Sequence, residues 1–160
     1  MTIVFCDRTT PLGPIRLAAN EDGLYGCYFH GQKHFPNPCK WQLVDYHPIL
    51  MQTHDILQHY FAGRGMIGDI ELAMSGTEFQ LGVWRALLLI PYASVICYSD
   101  LATQLGRPRS TRAVAAAVGR NPISIIVPCH RVIGKNGSLT GYAGGLQRKQ
   151  QLLKIEKRDL

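Results

Sequence analysis

Short apolar segments punctuated by turn residues open the chain. Residues 2–8, 14–20 and 23–29 read as three short strands, with Thr10-Pro11-Leu12-Gly13-Pro14 and Glu21-Asp22-Gly23 as the turns between them. The polar, Pro-containing segment 31–48 reads as a loop. From Pro48 to Phe61 the pattern changes period: Leu50, Leu57, Tyr60 and Phe61 recur at helical spacing, and Gly63 with Gly65 ends the helix. This half predicts a small sheet packed by one helix. Nothing in it advertises chemistry.

A boundary falls near Met74-Ser75-Gly76, dividing the chain into 1–74 and 75–160. Thr77 with Gln80 three residues on is a capping-box pattern, and Phe79, Val83, Leu87 and Ile90 share one helical face until Pro91 stops it. Ser99 can cap a short helix from Asp100 to Leu105, ended by Gly106. Ser110 can cap another that runs through Val118. Two short helices joined by a tight Gly-containing turn predict a helix-turn-helix. At ~100° per residue the second helix puts Ala113, Val114, Ala117 and Val118 on a core face. Arg112, Ala115, Ala116 and Gly119 fall opposite, a face small enough for close approach to a narrow DNA groove with Arg112 projecting. A merely Ala-rich helix chosen for propensity is the plainer alternative.

Asn121-Pro122 then leads into Ile125-Ile126-Val127-Pro128-Cys129-His130-Arg131-Val132-Ile133, which reads as a buried strand bounded by Pro. A buried Cys is by itself an ordinary small hydrophobe. Two cationic residues beside it change that reading, because burying them without purpose is costly, and neighbouring imidazole or guanidinium favours the nucleophilic thiolate. On an extended chain Cys129 and His130 point to opposite faces, so a bridging water or a local kink has to connect them. Asn136-Gly137 is a hairpin turn signal, and Gly141-Tyr142-Ala143-Gly144-Gly145 is a flexible loop. A final helix runs from about Leu146 to Arg158. Its wheel sets Glu156 between Leu152 and Leu153, a carboxylate on an apolar stripe that requires a partner. His130 and Arg131 are the candidates, against a simple surface Glu.

Charge sharpens the division. Residues 1–73 carry 5 Lys+Arg against 7 Asp+Glu, whereas 74–160 carry 12 against 4. The basic half suits a polyanionic partner. No signal peptide and no long apolar run is present, which predicts a soluble, cytoplasmic protein without membrane association. Five cysteines at irregular spacing argue against a disulfide scaffold. Cys6, Cys27, His30, His34 and Cys39 lack the Cys-x-x-Cys pair that nucleates a zinc site, so neither a metal nor another cofactor is expected.

Taken together, Thr77-Glu78-Phe79-Gln80 through Trp84, Tyr98-Ser99-Asp100-Leu101-Ala102, Arg112-Ala113-Val114, Asn121-Pro122, Ile126 to Val132 and Gly141 to Leu146 resemble the O6-alkylguanine-DNA alkyltransferases, the suicidal repair proteins also called methylated-DNA–protein-cysteine methyltransferases. The resemblance covers essentially all of 75–158 in unbroken register. Over 1–74 it rests on length and strand pattern, and the length points to the stand-alone bacterial-type form rather than a fused regulatory one.

That resemblance implies an α+β (or α/β) fold: an N-terminal three-stranded antiparallel sheet with a helix, ribonuclease H-like, and a mostly helical, winged helix-turn-helix-like domain carrying the cysteine. It implies Cys129 as alkyl acceptor, His130 as its water-mediated base, Glu156 as the group orienting His130, and Asn121 as a brace for the turn into the active site. Arg112 would enter the minor groove and fill the gap left by the flipped base, Tyr98 would press on the target phosphate, and Ser110, Ala113, Ala116 and Gly119 would line the DNA face. Tyr142 would donate to guanine N3, the carbonyls of Cys129 and Val132 would accept from the guanine amino group, and the Ala143 N–H would meet O6. The partner is then double-stranded DNA containing O6-alkylguanine, with O4-alkylthymine as a further lesion, bound by a monomer with room for cooperative binding. Ala115 and Val118 depart from the Gly and Asn of many bacterial members, which bears on DNA affinity and base preference. A related non-catalytic group lacks the cysteine that Cys129 supplies. Two rivals remain at this point. A helix-turn-helix regulator would leave Glu156 and Pro-Cys-His-Arg unexplained, and a cysteine hydrolase would turn over and ignore DNA.

Overall fold

The computed structural model describes residues 1–157. An N-terminal sheet is followed by a mostly helical C-terminal part, an α+β arrangement. Strands β1 (Val4–Thr10), β2 (Gly13–Asn20) and β3 (Gly23–Phe29) form the expected antiparallel meander, with Gly13 and Gly23 taking the positive φ that the tight turns require. A fourth, two-residue strand, β4 (Gln42–Leu43), lies parallel to β1 inside the segment expected to be loop, giving the order β3-β2-β1-β4. Helix α1 (Pro48–Phe61) begins with Pro48 in its first turn, where no amide partner is lost, and the His47 ring accepts from Ile49 N. Its buried Leu50, Leu57 and Tyr60 pack on Ile15, Leu17 and Phe29 of the sheet. The opposite sheet face is closed over Ile3, Phe5 and Ala18 by Tyr25 and Trp41.

The C-terminal part opens on α2 (Glu78–Leu87). Its capping box forms, with Thr77 Oγ1 accepting from Gln80 N and Gln80 Oε1 from Thr77 N, a device worth about 1 kcal/mol. The buried Trp84 indole donates to Ala117 O at 2.8 Å, pinning α2 onto the helix pair α3 (Tyr98–Gln104) and α4 (Thr111–Gly119). Gly106, at φ 71, makes the turn between those two. Ser99 does not cap α3; Cys97 holds the N-cap position without a side-chain bond to the helix backbone, because the helix starts earlier than the Ser suggests. Ser110 occupies the N-cap of α4 but its hydroxyl does not cap either. Strand β5 (Ile96–Cys97) pairs in parallel with β6 (Val132–Ile133), and α5 (Leu146–Lys157) closes the chain. The turn at Asn136-Gly137 forms, but no hairpin follows, since β6 pairs with β5 instead. Arg158, the expected end of the last helix, lies outside the described residues. Among the described residues no helix is long and apolar enough to cross a membrane.

Candidate active site

The segment before Cys129 is not the strand its composition suggests. Asn121 and Ile125 bend it. The Asn121 side chain accepts from Ile123 N at 3.0 Å and donates to Val127 O at 2.8 Å, closing a compact turn in which Ile125 takes φ 74. The β3 backbone holds this turn from outside, with Cys27 N donating to Pro122 O and Ser124 N to Cys27 O, both at 2.9 Å. Ile125 and Val127 are buried as read, and Ile126 is half-buried. The extended conformation expected for them is not found, because an apolar run is equally satisfied by a turn packed between two elements.

The chain leaves this turn through one turn of 3-10 helix, Cys129–Arg131, whose three side chains are all buried. His130 Nε2 meets Glu156 Oε2 at 2.5 Å, with neither side chain exposed. Glu156 also accepts from Arg131 Nε at 2.8 Å, Arg131 Nη2 at 3.3 Å, Tyr60 Oη at 2.6 Å and Ala93 N at 3.2 Å. The two partners expected for Glu156 are present. Tyr60 and Ala93 are additional, and the latter amide is aimed by a positive φ of 63. Burial alone would push the Glu156 carboxyl up, but its donors His130, Arg131 and Tyr60 outweigh that and hold it at about 2. His130 is shifted down, chiefly by burial and further by Arg131 and Lys149, against the pull of Glu156. An ionised carboxylate accepts only, so a neutral His130 carries its proton on Nε2 and leaves Nδ1 as a base. That Nδ1 is buried and meets no partner among the described residues.

Cys129 is buried, which raises its thiol; the Asn121 amide and the Lys149 ammonium pull it down. Lys149, on α5, is a residue that sequence reasoning missed. It is fully buried, donates to Thr140 O at 2.8 Å, and is lowered to about 8 by burial, against the favourable field of Cys129. Tyr142 is buried beside Cys129, its hydroxyl without a well-formed hydrogen bond among the described residues, and burial raises it well above its ordinary value, against a smaller pull from Ser124. Gly144 permits this arrangement, since a Cβ there would stand 2.7 Å from the Tyr142 ring. Tyr98 donates to Thr140 O at 3.0 Å and Gly141 O at 3.3 Å, so in this structure it holds the loop that carries Tyr142. The Val132 N–H donates to Cys129 O, which keeps a second lone pair on that carbonyl. The half-buried Ala143 accepts from Lys33 N at 3.0 Å, tying the same loop to the N-terminal half.

On α4, Arg112 and Ala116 are exposed, with Gly119 and Ser110 half-buried beside them. Val114, Ala117 and Val118 form the core face. Ala113 does not join it. It sits about 40° from the buried Ala117 and about 60° from the exposed Ala116 on the wheel, at the edge of the core face, and is exposed beside Arg112.

Two family models match the chain: 6-O-methylguanine DNA methyltransferase, ribonuclease-like domain, over residues 8–74, and 6-O-methylguanine DNA methyltransferase, DNA binding domain, over residues 78–158. A methylated-DNA–protein-cysteine methyltransferase of Methanosarcina acetivorans is 48% identical over 148 residues, covering 92% of this chain and 94% of that one. The protein of the same name from Mycobacterium bovis is 45% identical over 148 residues, covering 92% and 88%. The crystal structure of Mycobacterium tuberculosis O6-methylguanine methyltransferase superposes with a TM-score of 0.90 at 42% identity, covering 99% of this chain and 95% of that one. The structure of Mycobacterium tuberculosis OGT in complex with DNA gives 0.89 at 42% identity, covering 97% and 93%.

Proposed function

The chain belongs to the 6-O-methylguanine DNA methyltransferase family, and on that premise we propose that it repairs DNA by moving an alkyl group from guanine O6 to its own Cys129. The observation that carries this reading is the buried Glu156–His130 contact, which leaves Nδ1 as the basic nitrogen one residue from a buried thiol. His130 Nδ1 takes the thiol proton through a water. The sulfur attacks the alkyl carbon in line, an S–C bond forms, and the C–O6 bond breaks with its electron pair passing into the guanine. Guanine regains one proton from the relay. Tyr142, whose hydroxyl burial keeps protonated, donates a hydrogen bond to N3 and eases departure. The product thioether has no hydrolysable bond, so each molecule reacts once.

The finer assignments belong to the same proposal. Residues 1–74 form a ribonuclease H-like domain and residues 75–160 a winged helix-turn-helix-like one, acting in the cytoplasm. The exposed small residues of α4 let its backbone enter the minor groove, and Arg112 fills the space of the flipped base, whose unstacking costs a few kcal/mol. Cys129 and Tyr142 are both buried, so the 139–145 loop opens to admit the base, which also frees Tyr98 for the phosphate. Asn121 braces the turn, and Val132 O and the Ala143 N–H read the guanine edge. O4-alkylthymine is accepted by the same donors. The test is an intact-protein mass spectrum after incubation with a duplex holding one O6-methylguanine. One CH2 gained per molecule, on the Cys129 peptide, is expected; multiple turnovers or a methyl group elsewhere would overturn the reading.

A further inference from the structure

The relay has a member from the other half of the chain. Tyr60, on α1, reaches across 96 positions of sequence to place its hydroxyl 2.6 Å from Glu156 Oε2, the oxygen that His130 uses. Building on the alkyl-transfer reading, we propose that Tyr60 is a positioning residue for that reaction, its hydroxyl setting how strongly Glu156 holds the His130 imidazole.

Among the described residues that hydroxyl has one good acceptor. His130 Nε2 lies 3.5 Å away but carries a proton directed at Glu156, and Leu152 O, also 3.5 Å away, is a longer contact. The ring is buried and gripped edge-on by Phe61, Tyr92 and His130, with centroids 5.5, 6.3 and 6.4 Å away. Burial, with the Glu156 charge added, keeps Tyr60 protonated far above neutral pH, so it remains a donor throughout the working range. A core tyrosine anchored only for stability needs any carbonyl. Tyr60 instead shares one carboxylate oxygen with the catalytic base. An oxygen receiving two strong donors offers less charge to each. Withdrawing the Tyr60 hydroxyl therefore strengthens the Glu156–His130 bond, stabilises the imidazolium and makes His130 harder to deprotonate. The N-terminal half thus tunes the nucleophile it does not contain.

The test compares the parent, Tyr60→Phe and Leu57→Val in single-turnover transfer across pH, with 15N-histidine NMR of His130 and thermal melts. Leu57 is buried one turn before Tyr60 on the same helix but has no atom that can hydrogen-bond to Glu156 or His130, so its truncation reports loosening alone. Tyr60→Phe should move the acid limb and the His130 titration up by ~0.5 unit or more, making transfer about threefold slower on that limb and little changed on the plateau. Leu57→Val should lower Tm and leave both curves in place. Superposition of the Tyr60→Phe curves on the parent's, or an equal shift in Leu57→Val, overturns the proposal. If the parent itself takes up no alkyl group, the repair reading falls, and the His130 titration still decides on Tyr60.

Discussion

Replacing Glu156 by Gln changes one atom, and the structure sets two separate costs for it. The first is electrostatic. Glu156 and Arg131 form a buried pair at 2.8 Å; an amide oxygen can still accept from Arg131, but it leaves the buried guanidinium without an opposite charge, facing only neutral acceptors such as Ile90 O. Breaking such a pair from one side costs roughly 3–5 kcal/mol. The carboxyl's own displacement gives a similar figure. A fall from 4.5 to about 2 corresponds to about 3 kcal/mol of stability. Because the folded pKa lies below the unfolded one, that stability is present above about pH 4.5 and is lost as pH falls towards 2. Near-isosteric shape does not protect the variant, since the deficit is one of charge.

The second cost falls on the tautomer. If the carbonyl oxygen of the introduced amide faces Arg131 and Ala93, its NH2 group faces His130 Nε2, which must then accept. The ring proton moves to Nδ1, the nitrogen that should receive the thiol proton. Transfer at pH 7 should fall by roughly 100-fold or more, in line with the large losses seen when a triad carboxylate becomes an amide. Raising the pH should recover only part of the rate by pH 9, because burial holds the Cys129 thiol above its ordinary value. The two costs separate in the double variant Glu156→Gln/Arg131→Met, where an apolar side chain replaces the stranded cation and stability should largely return. Urea midpoints measure the first cost and single-turnover transfer against pH the second. A double variant that folds and transfers at the parent's rate at pH 7 would refute the relay.

The other expectations test the remaining parts of the site. Cys129→Ser should bind duplex DNA but acquire no alkyl group by mass spectrometry; uptake on the half-buried Cys97 would count against the assignment. Arg112→Ala should slow repair of duplex more than reaction with free O6-alkylguanine base, because only duplex requires flipping; equal losses would remove Arg112 from that role. DNA affinity should fall linearly on a log–log plot against salt, and by less for Arg112→Ala, if that guanidinium displaces counterions. Lys149 titrates at about 8 when folded and near 10.5 when unfolded, so its burial penalty is largest below pH 8 and relaxes as pH rises. The stability difference between the parent and Lys149→Met should therefore shift in the parent's favour between about pH 8 and 10, as read from urea midpoints.

Helix positions were the most legible part of the sequence, for a local reason. Thr77 and Gln80 are three residues apart, and the box they form needs nothing beyond that segment. Pro48 and Gly63 likewise bound α1 by backbone preference alone. The two-residue strand β4 was illegible because its pairing with β1 depends on Val4 and Phe5, nearly forty positions away. Tyr60 and Lys149 were hidden for the same reason. Tyr60 reads as one more apolar position on an amphipathic helix, and Lys149 as one more charge on a basic one; neither spacing reveals a carboxylate or a thiol brought in from elsewhere. Glu156 was visible because a carboxylate between two leucines violates its own helix's pattern, and a violation can be seen without knowing the partner.

The misreading around Cys129 has a mechanistic consequence. In an extended strand Cys129 and His130 would face opposite ways, and an element buried on both faces would keep them apart. The chain avoids this by spending Asn121 on the turn, through bonds to Ile123 and Val127, and by tightening Cys129–Arg131 into a 3-10 turn. Successive residues on such a turn are about 120° apart, so thiol and imidazole can share one interior while Arg131 swings to Glu156. Asn121 therefore does two things with one side chain: it shapes the turn that permits the relay, and it lowers the thiol it stands beside. An Asn121→Ala change loses both, whereas Asn121→Asp keeps the acceptor for Ile123 N and replaces the donor with a negative charge near the sulfur. If the turn alone mattered, Asn121→Asp would be the faster of the two, because it keeps one of the turn's bonds. The charge argument requires Asn121→Asp to be the slower, most clearly at pH 7, where the thiolate must be made against that charge.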